Sequence, residues 1–459
     1  MRPPWGTGGR RPRAAASPML LALAALAIVV GLLTDAAVRP ASGATLTTTS
    51  PTTAGHSYRH GAVPLRHWSN ATPQTSSPTQ TSGPGAGAAK FARGGNPLLY
   101  AGGPVINGSP KVFLVFWGTQ WGSQSLLGGY QAFSGDPQHL APNLQAFLSG
   151  LGTNGELWSA IVTQYCQGAL IGARSCPLLP SADHVAYPSS SVLGGVWEDT
   201  RAASPAAATA TQIAQEGADA AAHFSHPANS QYIVVSPTGT DPDGWLDPVN
   251  GYCAYHDDTQ DPAIGGVTGP DVPYTNMPYV PDVGAACSSF SSPGPNDGAD
   301  ETLSHEYAET LTDPYPSSGW NDRSGSEIGD KCENLVGGTP GGSIYLTLST
   351  GTFVVQGLWA NDLGTHGGCE NVHSSVLVAN PGKQRGSLSV PASLQISALD
   401  VRGLSLTYGA LGLPTGLVVS PTTGLISGTP LHRGRFHATV DVIDSSGTTG
   451  VSFVWVIGR

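Results

Sequence analysis

The stretch Asp300-Glu301-Thr302-Leu303-Ser304-His305-Glu306-Tyr307-Ala308-Glu309-Thr310-Leu311-Thr312-Asp313-Pro314 decides how the rest of this 459-residue chain is read. Asp300 is of a residue type that caps a helix start, and Asp313-Pro314 ends one. The spacing therefore predicts a helix of about three turns between them. Residues four apart on a helix project from one face, which sets His305 beside Glu309, with Glu306 next to the first. Leu303, Tyr307 and Leu311 fall largely on the other side, where they can pack.

This spacing is that of the HExxH helix of metallopeptidases, with Glu309 where the second His would stand. In HExxH, two helix residues hold zinc and the intervening Glu takes a proton from water. A carboxylate also ligates zinc. A His/Glu pair is harder and more anionic than two imidazoles, so Mn2+ and Ca2+ stay open beside Zn2+, as does the absence of any metal. His305 and Glu309 are the expected helix ligands and Glu306 the expected general base. A third ligand must come from elsewhere. Gly325-Ser326-Glu327-Ile328-Gly329-Asp330-Lys331-Cys332 offers Glu327 and Asp330. Glu327 stands 18 positions beyond Glu309, close to where zincins of the gluzincin type take their third Glu. Asp313, His256 and His366 are rivals. Nine acids, Asp297, Asp300, Glu301, Glu306, Glu309, Asp313, Asp322, Glu327 and Asp330, crowd into 34 positions of a chain that is only 11% charged. The competing reading is a solvated acidic helix without chemistry.

Working outward, the helix lies in a main domain expected over residues 96–377. Lys111-Val112-Phe113-Leu114-Val115-Phe116-Trp117 is nearly continuous in apolar residues and reads as a central strand. A helix is expected between Pro142 and Tyr165, a strand at Val196-Trp197, an Ala-rich helix from about Pro205 to Phe224, and a strand at Gln231–Ser236. That alternation predicts an α/β or α+β layered domain, zincin-like if the helix is what its spacing suggests. From residue 385 the pattern changes. Phe436/Ala438/Val440/Val442 and Val451/Phe453/Trp455/Ile457 alternate with period two between turn residues, which predicts an all-β sandwich over 385–459. The chain is thus multidomain.

The N-terminal 44 residues carry Arg2, Arg10, Arg11 and Arg13, then the apolar run Met19–Leu33, then Ser42-Gly43-Ala44. This is the layout of a secretory signal peptide; left uncleaved, the same run would be an N-terminal anchor, the one route to a transmembrane attachment. Residues 45–95 are rich in Thr, Ser, Pro, Gly and Ala and read as a disordered spacer. Removing the five Arg and one Asp of residues 1–44 leaves 15 Lys+Arg against 30 Asp+Glu, a formal −15. An acidic chain without basic clusters is a poor partner for nucleic acid or an anionic membrane. The six cysteines Cys166, Cys176, Cys253, Cys287, Cys332 and Cys369 all lie between residues 160 and 370, and an even count in an exported chain reads as disulfides. They admit 15 pairings. Sequential pairing is the expectation adopted, without support from spacing. No Gly-x-Ser-x-Gly elbow, P-loop or dinucleotide fingerprint is present.

Two resemblances add to this. Gly412-Leu413-Pro414-Thr415-Gly416-Leu417, Ser420-Pro421-Thr422-Thr423-Gly424-Leu425-Ile426-Ser427-Gly428-Thr429-Pro430 and Val440-Asp441-Val442-Ile443-Asp444 closely resemble the Ig (cadherin-like) module of bacterial surface proteins. That implies a spacer or adhesion module facing carbohydrate or protein. Val112–Gly118, Asp297-Gly298-Ala299-Asp300 and Ala308–Pro314 resemble the phosphate-induced, Exordium-like family of secreted proteins over roughly residues 98–372. His305-Glu306 departs from the plant members of that family, toward a peptidase-like site. The expectation is a secreted or surface-tethered metal-dependent hydrolase, zincin-like, acting on an extracellular protein, peptide or cell-wall glycan. The alternative is a non-enzymatic cell-envelope or adhesion protein.

Overall fold

The computed structural model describes residues 58–63, 96–178, 183–364 and 366–459. The expected export segment at residues 1–44 lies outside the described residues, as does the expected spacer apart from residues 58–63. Among the described residues no helix is long and apolar enough to cross a membrane.

The main domain is built on a five-stranded sheet of β1 (Lys111–Trp117), β2 (Leu193–Asp199), β3 (Ser230–Val235), β4 (Tyr255–Asp258) and β5 (Pro273–Met277), in the order β2-β1-β3-β5-β4. The first four in that order run parallel, and the edge strand β4 is antiparallel to β5. The apolar run of β1 is explained by burial on both faces, which a parallel sheet covered by helices demands. Its Phe113 and Val115 pack with Ile213 and Ala214 of α2 (Ala210–His223). Val112, Leu114 and Phe116 join the opposite core with Leu144 and Phe147 of α1 (Leu140–Gly150) and Leu303 and Tyr307 of α3 (Asp297–Thr312). α2 starts later than Pro205 because Thr209 caps it, trading hydrogen bonds with Gln212 in a capping box. α1 starts where the Asp136 carboxylate accepts from the N–H groups of Leu140 and Ala141 at 2.9 and 2.8 Å.

α3 corrects the sequence reading in two respects. It starts at Asp297, one turn before Asp300, which is buried with its carboxylate against Asn143 and caps nothing. Nor is any face solvated: Gly298 through Thr312 are all buried. A helix this polar tolerates that only because its side chains find partners. Glu301 accepts from Ser289 N at 2.9 Å and Ser343 Oγ at 2.8 Å, and Thr310 Oγ1 accepts from Gln231 Nε2 at 2.8 Å. The hairpin Ile344–Leu348/Gly351–Val355 packs on α3.

Three disulfides link Cys166–Cys176, Cys253–Cys287 and Cys332–Cys369, the sequential pairing. The second ties the chain just before β4 to the segment just before α3. The third holds the Ile328–Lys331 turn to the chain beyond the hairpin.

The C-terminal part is all strand and loop. Gln384–Ser387, Thr448–Gly458, Gly434–Ile443 and Thr407–Leu411 form one sheet in that order; Ala392–Gln395, Leu425–Gly428 and Leu417–Val419 form the other. Gln384–Ser387 runs parallel to Thr448–Gly458, and the longer pairings are antiparallel. Ala438, Val440 and Val442 lie beside Val451, Phe453, Trp455 and Ile457 on the buried face of the first sheet, as the period-two alternation requires.

Removing the buried Cys253–Cys287 bridge tests how far the framework depends on it. It closes a loop with a sequence separation of 34. On chain entropy alone, Cys253→Ser/Cys287→Ser should lower unfolding stability by about 4 kcal/mol, read as the shift in a denaturant titration followed by tryptophan fluorescence.

Candidate metal centre

Glu309 organises the site. Its Oε1 accepts from the backbone N–H groups of Gly329 and Asp330, both at 3.0 Å. With that oxygen taken, Oε2 points at two imidazoles: His305 Nε2 at 3.1 Å and His256 Nδ1 at 3.5 Å. The first neighbour is the helical i, i+4 partner. The second comes from edge strand β4, whose Tyr252–Asp258 surroundings carry too little alternation to announce a strand.

His305 is held in one orientation. Its Nδ1 is 3.1 Å from Gln356 Oε1. The Gln356 amide cannot flip freely, since its Nε2 donates to Gly329 O at 2.7 Å. An amide fixed this way presents only an acceptor, so Nδ1 carries the proton and Nε2 faces Glu309 with its lone pair or a second proton. A histidine whose far nitrogen is held by an acceptor is the usual arrangement of a metal ligand. Gln356 is beyond sequence reasoning: nothing in its local pattern marks it, and it lies 51 residues from His305.

The expected ligands separate into two groups. His305, Glu309 and Asp330 bring ligand atoms within 4.8 Å of one another, as do His256, Glu306 and Glu309. Glu309 belongs to both. Glu327 is in neither; its Oε2 faces His256 Nε2 at 3.2 Å, and its N–H donates to Asp330 Oδ2. Glu306, the expected general base, lies with Oε2 at 3.2 Å from His256 Nδ1. Two rivals leave the site. Asp313 turns its carboxylate to the N–H groups of Ser317, Ser318 and Gly319, and His366 is exposed and belongs to neither group.

The electrostatics are unbalanced. His256, His305, Glu306 and Glu309 are fully buried and Glu327 nearly so. Among the described residues no Lys or Arg pairs with any of them: Lys331 is spent on Asp322 and Arg59 on Asp243. Burial pushes the Glu306 and Glu327 carboxyls well above their ordinary range and Asp330 up to about 8. Glu309 feels the same burial, but His305, His256 and the Asp330 N–H outweigh it and hold its carboxyl below the usual value. For His305, burial opposes the charge, yet Glu309 and Glu306 prevail and lift it well above the ordinary range; burial takes His256 down to about 4. His256 Nε2, His305 Nε2, Glu306 Oε1, Glu309 Oε2 and Glu327 Oε2 are all buried without a hydrogen bond of good geometry. Buried polar atoms are rarely left so, and here they face one another. A divalent cation would answer both deficits. Within the His305, Glu309 and Asp330 group, His305 Nε2 stands 3.1 Å from Glu309 Oε2 and 3.9 Å from Asp330 Oδ1, against about 3.3 Å for the edge of a tetrahedron of ligands around zinc with bonds of roughly 2.0–2.1 Å.

Residues 374–458 match the family described as Putative Ig domain. No curated protein matches the chain. Among solved structures, a putative α-galactosidase of Bacteroides fragilis is similar at 23% identity over 19% of this chain and 18% of its own, with TM-score 0.18. Human protocadherin-24 EC1-2 is similar at 22% identity over 18% and 43%, TM-score 0.17, and Drosophila N-cadherin EC1-4 at 10% identity over 24% and 27%, TM-score 0.17. The chain thus spans under a fifth of the first of these, and scores this low carry no argument about the main domain. The C-terminal sandwich is an Ig-like module on the family match. Together with three disulfides it fits an extracellular location and a surface role.

Gly329 is where the geometry is most easily broken. A side-chain carbon there would lie 2.6 Å from His305 Nδ1 and 2.8 Å from Cγ, against the ring itself. Gly329→Ala should displace His305 and cost about 1–3 kcal/mol of stability as an overpacked core site, measured by denaturant unfolding.

Proposed function

We propose that the chain is an extracellular metal-dependent hydrolase, of zincin-like peptidase type. The observation that carries this reading is the buried cluster of two imidazoles and three carboxylates, His256, His305, Glu306, Glu309 and Glu327, with no Lys or Arg among the described residues to balance it. His305 and Glu309 would hold the metal, with Asp330, which shares their donor group, as third ligand. His256 and Glu327 complete the surrounding donors. The chemistry of the set, imidazole with carboxylate, suits Zn2+, with Mn2+ next. Bound there, the cation would polarise a substrate carbonyl and acidify water.

The protein's own groups do the rest. Glu306 follows His305 on the helix and has Oε1 uncommitted, so it can take a proton from water and pass it to a leaving amine. His256, with Nδ1 3.2 Å from Glu306 Oε2, fixes the carboxylate's orientation. Gln356 keeps the His305 ring in register. The Ig-like module favours a second reading, a non-enzymatic surface protein in which the acidic helix is structural.

Metal analysis of the purified full chain separates the two. About one divalent ion per chain is expected, retained by Glu306→Gln and lost in His305→Ala. Peptide hydrolysis by Glu306→Gln should fall by roughly 10²–10⁴. Gln356→Leu should weaken metal affinity by roughly 10–100-fold. A chain that takes up none of Zn2+, Mn2+ or Ca2+ and is indifferent to chelators would leave the surface-protein reading.

A further inference from the structure

The edge of the main sheet is already occupied. Residues 58–63, Tyr58-Arg59-His60-Gly61-Ala62-Val63, come from within the stretch whose composition reads as spacer, yet they pair antiparallel with the chain entering β4. His256 N donates to His60 O at 3.1 Å, Val63 N to Ala254 O at 3.2 Å, and Cys253 N to Val63 O at 2.6 Å. This is strand addition at an exposed edge, the way extended peptides are commonly bound.

Its register places Gly61 on the metal-binding carboxylate. A side-chain carbon at Gly61 would lie 1.7 Å from Glu309 Oε2 and 3.0 Å from His256 Cε1, and φ is 57°, so glycine alone fits. Two residues earlier, Arg59 enters a pocket of its own. Nε donates to Asp243 Oδ2 at 2.9 Å, Nη2 to Asp243 O, and Nη1 to Asn250 O at 3.4 Å. The guanidinium stands 4.5 Å from the centre of the Tyr252 ring, and Tyr255 Oη donates to the same Asp243 at 3.3 Å. Asp243 is held at φ 50°, in the left-handed region unfavourable for any residue with a Cβ, a conformation that sets backbone O and carboxylate on the same guanidinium. Tyr58 also lines a cavity of about 470 Å³ together with Thr209, Asp241 and Asp243.

We propose that Tyr58–Val63 is an internal pseudosubstrate. It fills a peptide groove made by the Cys253–His256 backbone edge and the Asp243–Tyr252 arginine pocket, keeps the centre closed, and displays the substrate class. Substrates are extended peptides that pair antiparallel with β4 and carry arginine two positions before the residue lying over Glu309. This rests on the hydrolase reading for its catalytic meaning. It also supplies what that reading lacks, since a centre buried to this degree admits no substrate until its cover leaves.

The test uses the full chain in two opened forms. One is Arg59→Ala. The other carries a site-specific protease site between residues 70 and 90 and is cut there, which leaves every described residue intact and serves if Arg59→Ala fails to fold. A fluorescein-labelled peptide of the residue 57–64 sequence is titrated by anisotropy. Both opened forms should bind it at least tenfold more tightly than the uncut wild type, and a peptide with Ala in place of its Arg should bind at least tenfold more weakly. No binding by either opened form, or equal binding of the Ala peptide, overturns the proposal. Anisotropy needs neither metal nor turnover. Arginine-dependent peptide binding by a chain that takes up none of Zn2+, Mn2+ or Ca2+ would therefore sink the hydrolase reading alone, and a metal-loaded, active chain blind to arginine would sink this one alone.

Discussion

A carboxylate with two backbone N–H groups clamped on one oxygen has only the other oxygen left to use. Glu309 is in that state: Gly329 and Asp330 hold Oε1, so His305, His256 and Gly61 all meet at Oε2. Much of the main domain serves this clamp. The 329–330 turn reaches the helix because Gly329 has no side chain to collide with the His305 ring, because Gln356 ties Gly329 O to that ring, and because Cys332–Cys369 anchors the turn behind. Carboxylates buried this deeply cost several kcal/mol each unless compensated. The structure places backbone dipoles and imidazoles around one of them and leaves the others short of positive charge.

The candidate site was partly legible because helical spacing is local. His305, Glu306 and Glu309 need only one another's sequence separation to share a face, and the nearby acids Glu327 and Asp330 follow within one turn-rich loop. His256 and Gln356 reach the same place through sheet order and a hairpin, which no local pattern encodes. β4 is short, polar and Tyr-rich, so period-two reasoning passes over it. The spacer composition similarly hid residues 58–63, although a run of Tyr, Arg, His, Ala and Val inside Ser/Thr/Pro-rich sequence is a departure that could have marked them. The start of α3 was misjudged because Asp300 is a capping residue type; the acid that closes the preceding turn is Asp297, which accepts from Gly294 N.

The strands outside β4 and β5 and the C-terminal core were easier. β1 is buried on both faces and advertises it with seven residues, nearly all apolar. In the Ig-like module one face of each long strand is buried, and the alternation of Val440/Val442 and Phe453/Trp455 follows directly. The polar helix α3 is the opposite case. Its burial depends on partners as distant as Gln231 and Ser343, so composition alone reads it as exposed.

The parallel pairing of Gln384–Ser387 with Thr448–Gly458 has a mechanical consequence. Strands that run the same way send the chain into and out of the module at opposite ends. Tension between Gln384 and Arg459 would therefore load the Gln384↔Trp455 to Ser387↔Gly458 ladder in shear, with its hydrogen bonds resisting together rather than opening one by one. Forced unfolding is governed by the unfolding rate rather than by equilibrium stability. Such a clamp suits a module that must carry load.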